Sequence, residues 1–342
     1  MVILYVLLAL FIFGCMILFH ELGHFMFAKI FKVKINEFSI GMGPILFYLI
    51  GKDGVKYSLR LLPIGGYVAM DGEDEDSDNP NAYNKKPAWQ RFIIVMAGGI
   101  VNLLVGSIIM ICLTISTSHF GTTTVSGFGQ NSTSDDYGLQ VDDEILKINN
   151  TNVHTYDDLS YEIMHNGYMP VSVTLNRNGE VITIDNVKFP TIEAQGVKFG
   201  QIDFGVYLEQ KNFSNVIKNS FVSIKSSIKM VWDSFFDLFT GRYGIDQISG
   251  PIGVTGAIGD AAQFGLYALF YMIVVISMNL GVFNLLPIPA LDGGTLVFLL
   301  IEMLFKKHIP QKIEKAIKAV GLILLLSLVL IVTIKDVVHI FI

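Results

Sequence analysis

The chain has 342 residues, of which 52% are hydrophobic and 16% are charged, and its net charge is −6 at pH 7. Soluble domains carry about 25% charged residues, so the composition excludes an ordinary soluble protein and indicates an integral membrane protein. No basic block predicts nucleic-acid binding. The two cysteines, Cys15 and Cys112, lie in apolar runs, where packing is a better interpretation than a disulfide.

Four apolar segments are long enough to cross about 30 Å of hydrocarbon. They cover residues 2–30, 92–117, 266–286 and 317–341. The first is uncharged up to Phe19 and continues through Phe31, so we interpret it as a retained transmembrane helix and not as a signal peptide. A fifth stretch, 295–305, is too short to span and predicts a re-entrant or partly embedded helix.

Lysine and arginine are frequent between the first two spans and in the short loop after residue 305. Short positive loops stay cytoplasmic. We therefore expect a multi-pass protein of the cell membrane whose N-terminus, long 118–265 segment and C-terminus are extracytoplasmic.

Residues 36–91 are predicted to form a membrane-associated β-hairpin followed by a cytoplasmic loop. NEFSIGMGPILFYL and VKYSLRLLPIGGYVAM have the character of strands, and a Lys-Asp-Gly turn joins them. Because both strands are very apolar, we favour a hairpin that dips into the membrane. A small amphipathic hairpin on the surface is the alternative.

Residues 118–195 are predicted to form a small, mostly-β domain. YGLQVDDEILKINNTNV indicates a strand-turn-strand unit, DDLSYEIMHN a helix, and PVSVTLNRNGEVITI two further strands. The predicted linker 196–265 contains apolar residues at helical spacing over 211–240. This amphipathic helix could lie on the bilayer surface or pack on the domain, and the pattern supports both equally.

The stretch His20-Glu21-Leu22-Gly23-His24 matches the pattern H-E-x-x-H. On a helix, positions i and i+4 lie on one face about 6 Å apart, so two imidazoles can share one Zn²⁺. The adjacent glutamate can take a proton from metal-bound water and pass it to a leaving amine. Ionisable groups in lipid are costly, and binding of one metal ion would explain why all three residues occur in an apolar segment.

A third zinc ligand is expected elsewhere in the chain, because zinc hydrolases commonly have three protein ligands. Less favoured candidates are His119, His154, His165, His308, His339 and Glu302. Asp292, in NLLPIPALDGG, is favoured because Pro287 and Pro289 break the third span there, while Gly293 and Gly294 allow another segment to approach. Capping of a helix start is the alternative role for Asp292.

HELGH in the first span, LDGG after NLLPIP in a late span, and the intervening domain together resemble the site-2 protease family of intramembrane zinc metalloproteases. The bacterial branch that regulates envelope stress is the most similar. The resemblance implies one Zn²⁺ per chain, held by His20, His24 and Asp292, with Glu21 as the general base. The substrate-binding residues that we predict are Asn284, Asn102, Gly65 and Gly66.

The resemblance also implies a membrane-inserted hairpin at 36–70, which presents a strand edge to an unwound substrate, and a single PDZ-like domain. Ser249-Gly250-Pro251-Ile252-Gly253 resembles the start of the third span. One departure is visible, since Gly99 stands where the family often has proline before the asparagine of the second span. The departure concerns the local shape of the helix and not the chemistry.

The implied activity is regulated intramembrane proteolysis: cleavage of single-span membrane proteins within the bilayer after a first extracytoplasmic cut. Anti-sigma factors, remnant signal peptides and pheromone precursors remain open as substrates. The PDZ-like domain could bind substrate C-termini or exclude long ectodomains, and we favour the size filter. His24 lies five residues before Lys29, so the site should be on the order of 8–12 Å from the cytoplasmic boundary.

Two other classes of protein are less well supported. A catalytically silent scaffold that presents the domain would need neither H-E-x-x-H nor LDGG. A transporter with a broken helix would suit Pro287 and Pro289, but no second repeat of the break is visible in the sequence.

Overall fold

The computed structural model describes residues 2–73, 75–130, 132–194, 196–244, 247–307 and 309–341. They divide into two compact units. The helical unit combines Met1–Ile109 with Ile248–Ile342, and the sheet unit is Met110–Gln247.

In chain order, the helices of the described chain are α1 (Val2–Ile30), α2 (Ala88–Ser116), α3 (Tyr156–Asn166), α4 (Phe213–Thr240), α5 (Pro251–Phe264), α6 (Leu266–Leu285), α7 (Asp292–Phe305) and α8 (Gln311–Phe341). The strands are β1 (Ile35–Ile50), β2 (Lys56–Met70), β3 (His119–Phe128), β4 (Glu144–Ile148), β5 (Thr151–Asn152), β6 (Val171–Arg177), β7 (Glu180–Val187), β8 (Thr191–Ala194), β9 (Val197–Gly200) and β10 (Phe204–Gln210).

Four of these helices are long and apolar enough to cross a membrane. The segments are Ile3–Ile30, Ala88–Ser116, Leu266–Leu285 and Lys312–Val338. They match the four predicted spans, and the last begins five residues earlier than predicted. A helix that is apolar on all sides is stable when lipid or other helices surround it, which suits these lengths. The helix α7 has 14 residues and is too short to span, as expected.

The first half of α1 packs against α5 and α6. Its buried residues Ala9, Ile12 and Met16 share one apolar cluster with Ile258 and Ile276. The second half of α1 packs differently, through a cluster that also includes residues of α2 and α7. These contacts bring the last turns of α1, which carry H-E-x-x-H, next to α2 and α7.

The helix α5 lies in the segment that the sequence predicts as the end of a linker. It belongs to the helical unit, and α8 caps its start, since the Gly253 amide donates a hydrogen bond to Asp336 Oδ2 at 2.8 Å. A Cβ on Gly250 would lie 2.7 Å from the same oxygen, so a side chain there would displace the Asp336 carboxylate. The glycines of the Ser249–Gly253 stretch thus lie where the start of α5 contacts Asp336 of α8.

The strands β1 and β2 pair antiparallel, as the hairpin prediction requires, but both strands bend. Gly41 and Gly43 in β1, and Gly65 in β2, adopt positive φ angles of 85°, 85° and 80°. As a result, residues 37–40 pair with 56–59 and also with 66–69, and the hairpin forms four rows instead of two. Every residue of 42–50 is exposed. Insertion of this apolar end into the membrane stays a prediction.

The sheet unit contains a six-stranded antiparallel sheet in the order β10-β3-β4-β6-β7, in which β5 pairs with β4. The predicted strand-turn-strand unit, the helix α3 and the β6–β7 hairpin are all confirmed. Fully buried residues from the sheet and from α3, such as Val125, Ile145, Leu159 and Val173, form its core. The sheet extends beyond residue 195, where we predicted its end, because β10 pairs along β3.

The helix α4 confirms the predicted amphipathic helix, and it packs on α3 through its polar side. The Tyr161 hydroxyl donates to Asp233 at 2.8 Å, His165 Nε2 lies 2.9 Å from Asp237, and Glu162 pairs with Lys229 at 2.8 Å. The apolar side chains are exposed, among them Phe213, Ile217, Phe221, Phe236 and Phe239. Packing on the domain is therefore confirmed for the polar side, and contact of the apolar side with the bilayer stays a prediction.

Candidate active site

Three potential metal ligands from two helices meet in the helical unit. His20 and His24 lie one turn apart on α1, and their Nε2 atoms are 3.2 Å apart. Asp292 is the first residue of α7, and its Oδ2 lies 3.1 Å from His20 Nε2 and 3.2 Å from His24 Nε2. Among the described residues, these three side chains form the one group that could hold a metal ion.

The geometry of this group fits Zn²⁺. Tetrahedral zinc with bonds of about 2.0–2.1 Å places its ligand atoms about 3.3 Å apart, close to the separations found here. The buried Asp292 Oδ2 accepts no well-formed hydrogen bond from any described residue, as expected for an atom that binds a metal. Two imidazoles and one carboxylate are also a common ligand set for catalytic zinc, with a fourth position left open.

A tight turn between α6 and α7 brings Asp292 to the histidines. A Cβ on Gly293 would lie 1.7 Å from the Leu286 carbonyl oxygen, and a Cβ on Gly294 would lie 2.7 Å from that of Ile288. Ala290 adopts a φ of 77° in the same turn. The two glycines of LDGG are therefore required because the chain folds back on itself directly after Asp292.

Small residues bring α2 into contact with the histidine side of α1. A Cβ on Gly23 would lie 2.5 Å from the Ala97 carbonyl oxygen, and a Cβ on Gly98 would lie 2.4 Å from His24 Nε2. Gly99, the departure from the family pattern, faces α6, where its Cβ would lie 2.8 Å from Leu285 Cγ. The helix α2 is continuous through Gly99, so the missing proline leaves no break.

The outer nitrogen of each imidazole faces a group on a neighbouring helix. His24 Nδ1 lies 2.9 Å from the carbonyl oxygen of Ile94 on α2. His20 Nδ1 lies 3.4 Å from Asn102 Nδ2 and 3.5 Å from Asn284 Nδ2. The Nε2 atoms thus remain directed toward Asp292.

Glu21 lines the same cavity as the three potential ligands. The cavity has a volume of about 1040 Å³, and it also reaches charged residues such as Lys312, Lys315 and Lys318. The end of β2 is close by, since a Cβ on Gly66 would lie 3.6 Å from Glu21 Cγ. A cavity with a charged lining gives water a route to the carboxylate and the histidines.

The predicted substrate-binding residues all lie around this centre. Gly65 and Gly66 are buried at the bend of β2 beside α1, and Asn284 is half-buried near the end of α6. Asn102 is fully buried in α2, and its side chain faces His20. Contact of these four residues with substrate stays a prediction.

The other candidate ligands lie elsewhere. His119, His154 and His165 belong to the sheet unit, and His165 contacts Asp237. His308 lies outside the described residues, as does the side chain of His339.

Glu302, the remaining candidate, forms an ion pair with the buried guanidinium of Arg91, which joins α7 to the start of α2. The sequence signal was a lone charge in an apolar helix, but the sequence did not identify its partner. The contact of Ile94 was also missed, because a backbone carbonyl carries no signal in the sequence.

Comparison with known proteins agrees with a zinc site. Residues 8–328 match the family model for peptidase family M50. A protein of Clostridium acetobutylicum named "putative zinc metalloprotease" is 37% identical over 335 residues, which cover 98% of this chain and 97% of that protein. The zinc metalloprotease RasP of Shouchella clausii is 27% identical over an alignment of 416 residues, gaps included, and the alignment covers 96% of this chain and 98% of that protein. The chain therefore belongs to peptidase family M50, the site-2 proteases, and is a zinc metalloendopeptidase.

Proposed function

We propose that the chain cleaves peptide bonds within the membrane, with zinc held by His20, His24 and Asp292 and with Glu21 as the general base. One observation carries the proposal. Three ligand atoms lie 3.1–3.2 Å from one another, and two of them come from a helix that is long and apolar enough to span a membrane. Groups this costly in lipid are expected to serve the chemistry of the protein.

Each protein group has a distinct role in the proposed reaction. Zinc at this site supplies a Lewis acid and lowers the pKa of bound water to about 7. The Glu21 carboxylate accepts a proton from the attacking water and delivers it to the nitrogen of the leaving amine. Asn284 is half-buried beside His20, where its carboxamide can hydrogen-bond the backbone of the substrate.

The substrate would bind as an extended segment along the last row of β2. Residues 66–69 pair with 37–40 and have no second strand partner among the described residues, and a Cβ on Gly66 would lie 3.6 Å from Glu21 Cγ. A transmembrane helix hides its carbonyls in its own hydrogen bonds, so it must unwind before hydrolysis. Pairing with a strand edge stabilises the unwound form.

The substrates that fit this arrangement are transmembrane segments of single-span proteins, cleaved after a first extracytoplasmic cut. Anti-sigma factors, remnant signal peptides and pheromone precursors share this chemistry. The sheet unit would act as a PDZ-like size filter outside the cytoplasm, with the N-terminus and the C-terminus on the same side. The zinc site would lie near the cytoplasmic face, because Lys29 and Lys32 follow His24 closely.

Substitution of Glu21 by glutamine tests the proposal. The purified variant should bind as much zinc as wild type, because Glu21 is not a ligand, but its cleavage of a single-span reporter in liposomes should fall by about 10²–10⁴-fold or more. Glu193→Gln, at an exposed position of the sheet unit, is the matched control and should cleave normally. Wild-type cleavage by Glu21→Gln would refute the assignment of the base, and a wild-type protein without zinc would refute the metal site.

A further inference from the structure

One face of α2 lies along the two histidines. Ile94, Gly98 and Asn102 follow at intervals of four residues, so they lie on the same side of the helix. Ile94 contributes its carbonyl to His24, Gly98 lies against both imidazoles, and Asn102 contributes its carboxamide to His20. The face thus provides a partner for the outer nitrogen of each histidine.

The contact of His24 determines its tautomer. A carbonyl oxygen can only accept a hydrogen bond, so His24 Nδ1 must carry the proton that it shares with Ile94 O at 2.9 Å. In a neutral imidazole the other nitrogen, Nε2, then has a lone pair that can bind a metal. Histidines that bind metals almost always donate their second N–H in this way.

His20 requires a partner of the same kind. For Nε2 to bind zinc, Nδ1 must be a donor, yet the group beside it at 3.4 Å is the nitrogen of the Asn102 carboxamide, also a donor. A rotation of the carboxamide by 180° exchanges its nitrogen and oxygen. The rotation breaks no hydrogen bond of Asn102 Oδ1, because this buried atom has no partner among the described residues.

We propose that Asn102 is a positioning residue whose Oδ1 accepts a hydrogen bond from His20 Nδ1 and so selects the tautomer that presents Nε2 to the metal. The inference rests on the proposed zinc site, and it adds a residue that sets the protonation of one ligand. It also gives Asn102 and Asn284 different tasks.

Burial separates these two asparagines. Asn102 is 0% exposed, and the Ser277 hydroxyl, itself fully buried, donates to the Asn102 backbone carbonyl at 2.8 Å. Asn284 is half-buried and slightly farther from His20, at 3.5 Å. A buried amide in a helix core can serve as a constant acceptor, whereas a partly exposed amide remains available to a substrate.

Zinc affinity of the purified full-length protein, measured by competition with a chelator, tests this assignment. Asn102→Leu removes the acceptor and should weaken zinc binding by about 10–100-fold, the usual effect of losing such a partner. Asn102→Asp is nearly isosteric, can accept but not donate when ionised, and should bind zinc at least as tightly as wild type. Asn284→Leu and Asn279→Leu should stay within about threefold of wild type, since the Asn279 amide donates to the Val275 carbonyl of its own helix and to no other group among the described residues.

Three outcomes would overturn the inference. The first is a folded Asn102→Leu protein with wild-type zinc affinity. The second is a loss in Asn102→Asp as large as in Asn102→Leu, which would mean that the amide donates. The third is a loss confined to Asn284→Leu. If Asn102→Leu does not fold, the comparison of Asn102→Asp with wild type still decides. Failure of the zinc site itself would be recognised separately, because the wild-type protein would then bind no zinc.

Discussion

Substitution of Gly98 by alanine should weaken zinc binding without unfolding α2. The glycine lies where α2 crosses the two histidines, and a Cβ there would be 2.4 Å from His24 Nε2 and 2.7 Å from His20 Cε1. Both neighbours are atoms of the proposed metal site. The added methyl group must therefore displace the imidazoles or push the two helices apart.

The size of the displacement follows from these distances. Ordinary contacts begin at 3.4 Å, so His24 Nε2 would have to retreat by about 1 Å. Metal sites tolerate deviations of about 0.2 Å in their ligand distances. A displacement about five times larger should weaken zinc binding by on the order of 100-fold, or about 2.7 kcal/mol. Helix propensity acts in the opposite direction, since alanine stabilises a helix by about 1 kcal/mol relative to glycine.

The assay is zinc affinity by chelator competition, together with helix content by circular dichroism. Gly256→Ala is the matched control, because it is the same substitution in a helix of the same unit and the new Cβ would meet no described atom within 4 Å beyond the adjacent helix backbone. The control should bind zinc normally. If Gly98→Ala bound zinc with wild-type affinity, the close approach of α2 to the histidines would be wrong.

Two further predictions concern the third ligand and the sheet unit. Asp292→Asn should retain the fold but lose at least about 100-fold in zinc affinity, because loss of a ligand charge should cost no less than loss of an outer-shell partner; unchanged metal content would exclude Asp292 as a ligand. Replacement of residues 119–210 by a short Gly/Ser linker should be tolerated, because His119 pairs with Gln210 and the two cut ends are adjacent. This deletion should allow cleavage of reporters with uncut ectodomains, and intact reporters would refute the size filter.

The chemistry of the first helix could be predicted almost completely from the sequence. The spacing of His20 and His24 fixes their common face, because helical periodicity is a local property of the chain. The third position was narrowed to Asp292 by its motif. The turn that delivers Asp292 could not be predicted, since it depends on the contact of Gly293 with the Leu286 carbonyl.

For the hairpin and for α4, the sequence pattern predicted the element but not its packing partner. Alternation predicted the strands β1 and β2, but not that residues 37–40 would lie between two segments of β2. Periodicity predicted an amphipathic α4, but the polar side chains of α3, such as Tyr161 and Glu162, determine that its polar side is the packed one. In both cases the sequence does not show which segment lies against which.

Local sequence patterns were enough to predict the apolar helices, the position of H-E-x-x-H within one of them, and the strands and helix of the sheet unit, because each depends on residues close together in the chain. The groups that surround the histidines could be identified only from the fold. Ile94, Asn102 and Asp292 are 70 or more residues away from the histidines that they contact, and only the packing of α1 against α2 and α7 brings them within hydrogen-bonding or ion-pair distance. Local patterns depend on neighbouring residues in the chain, whereas the arrangement of groups around the histidines depends on distances between helices.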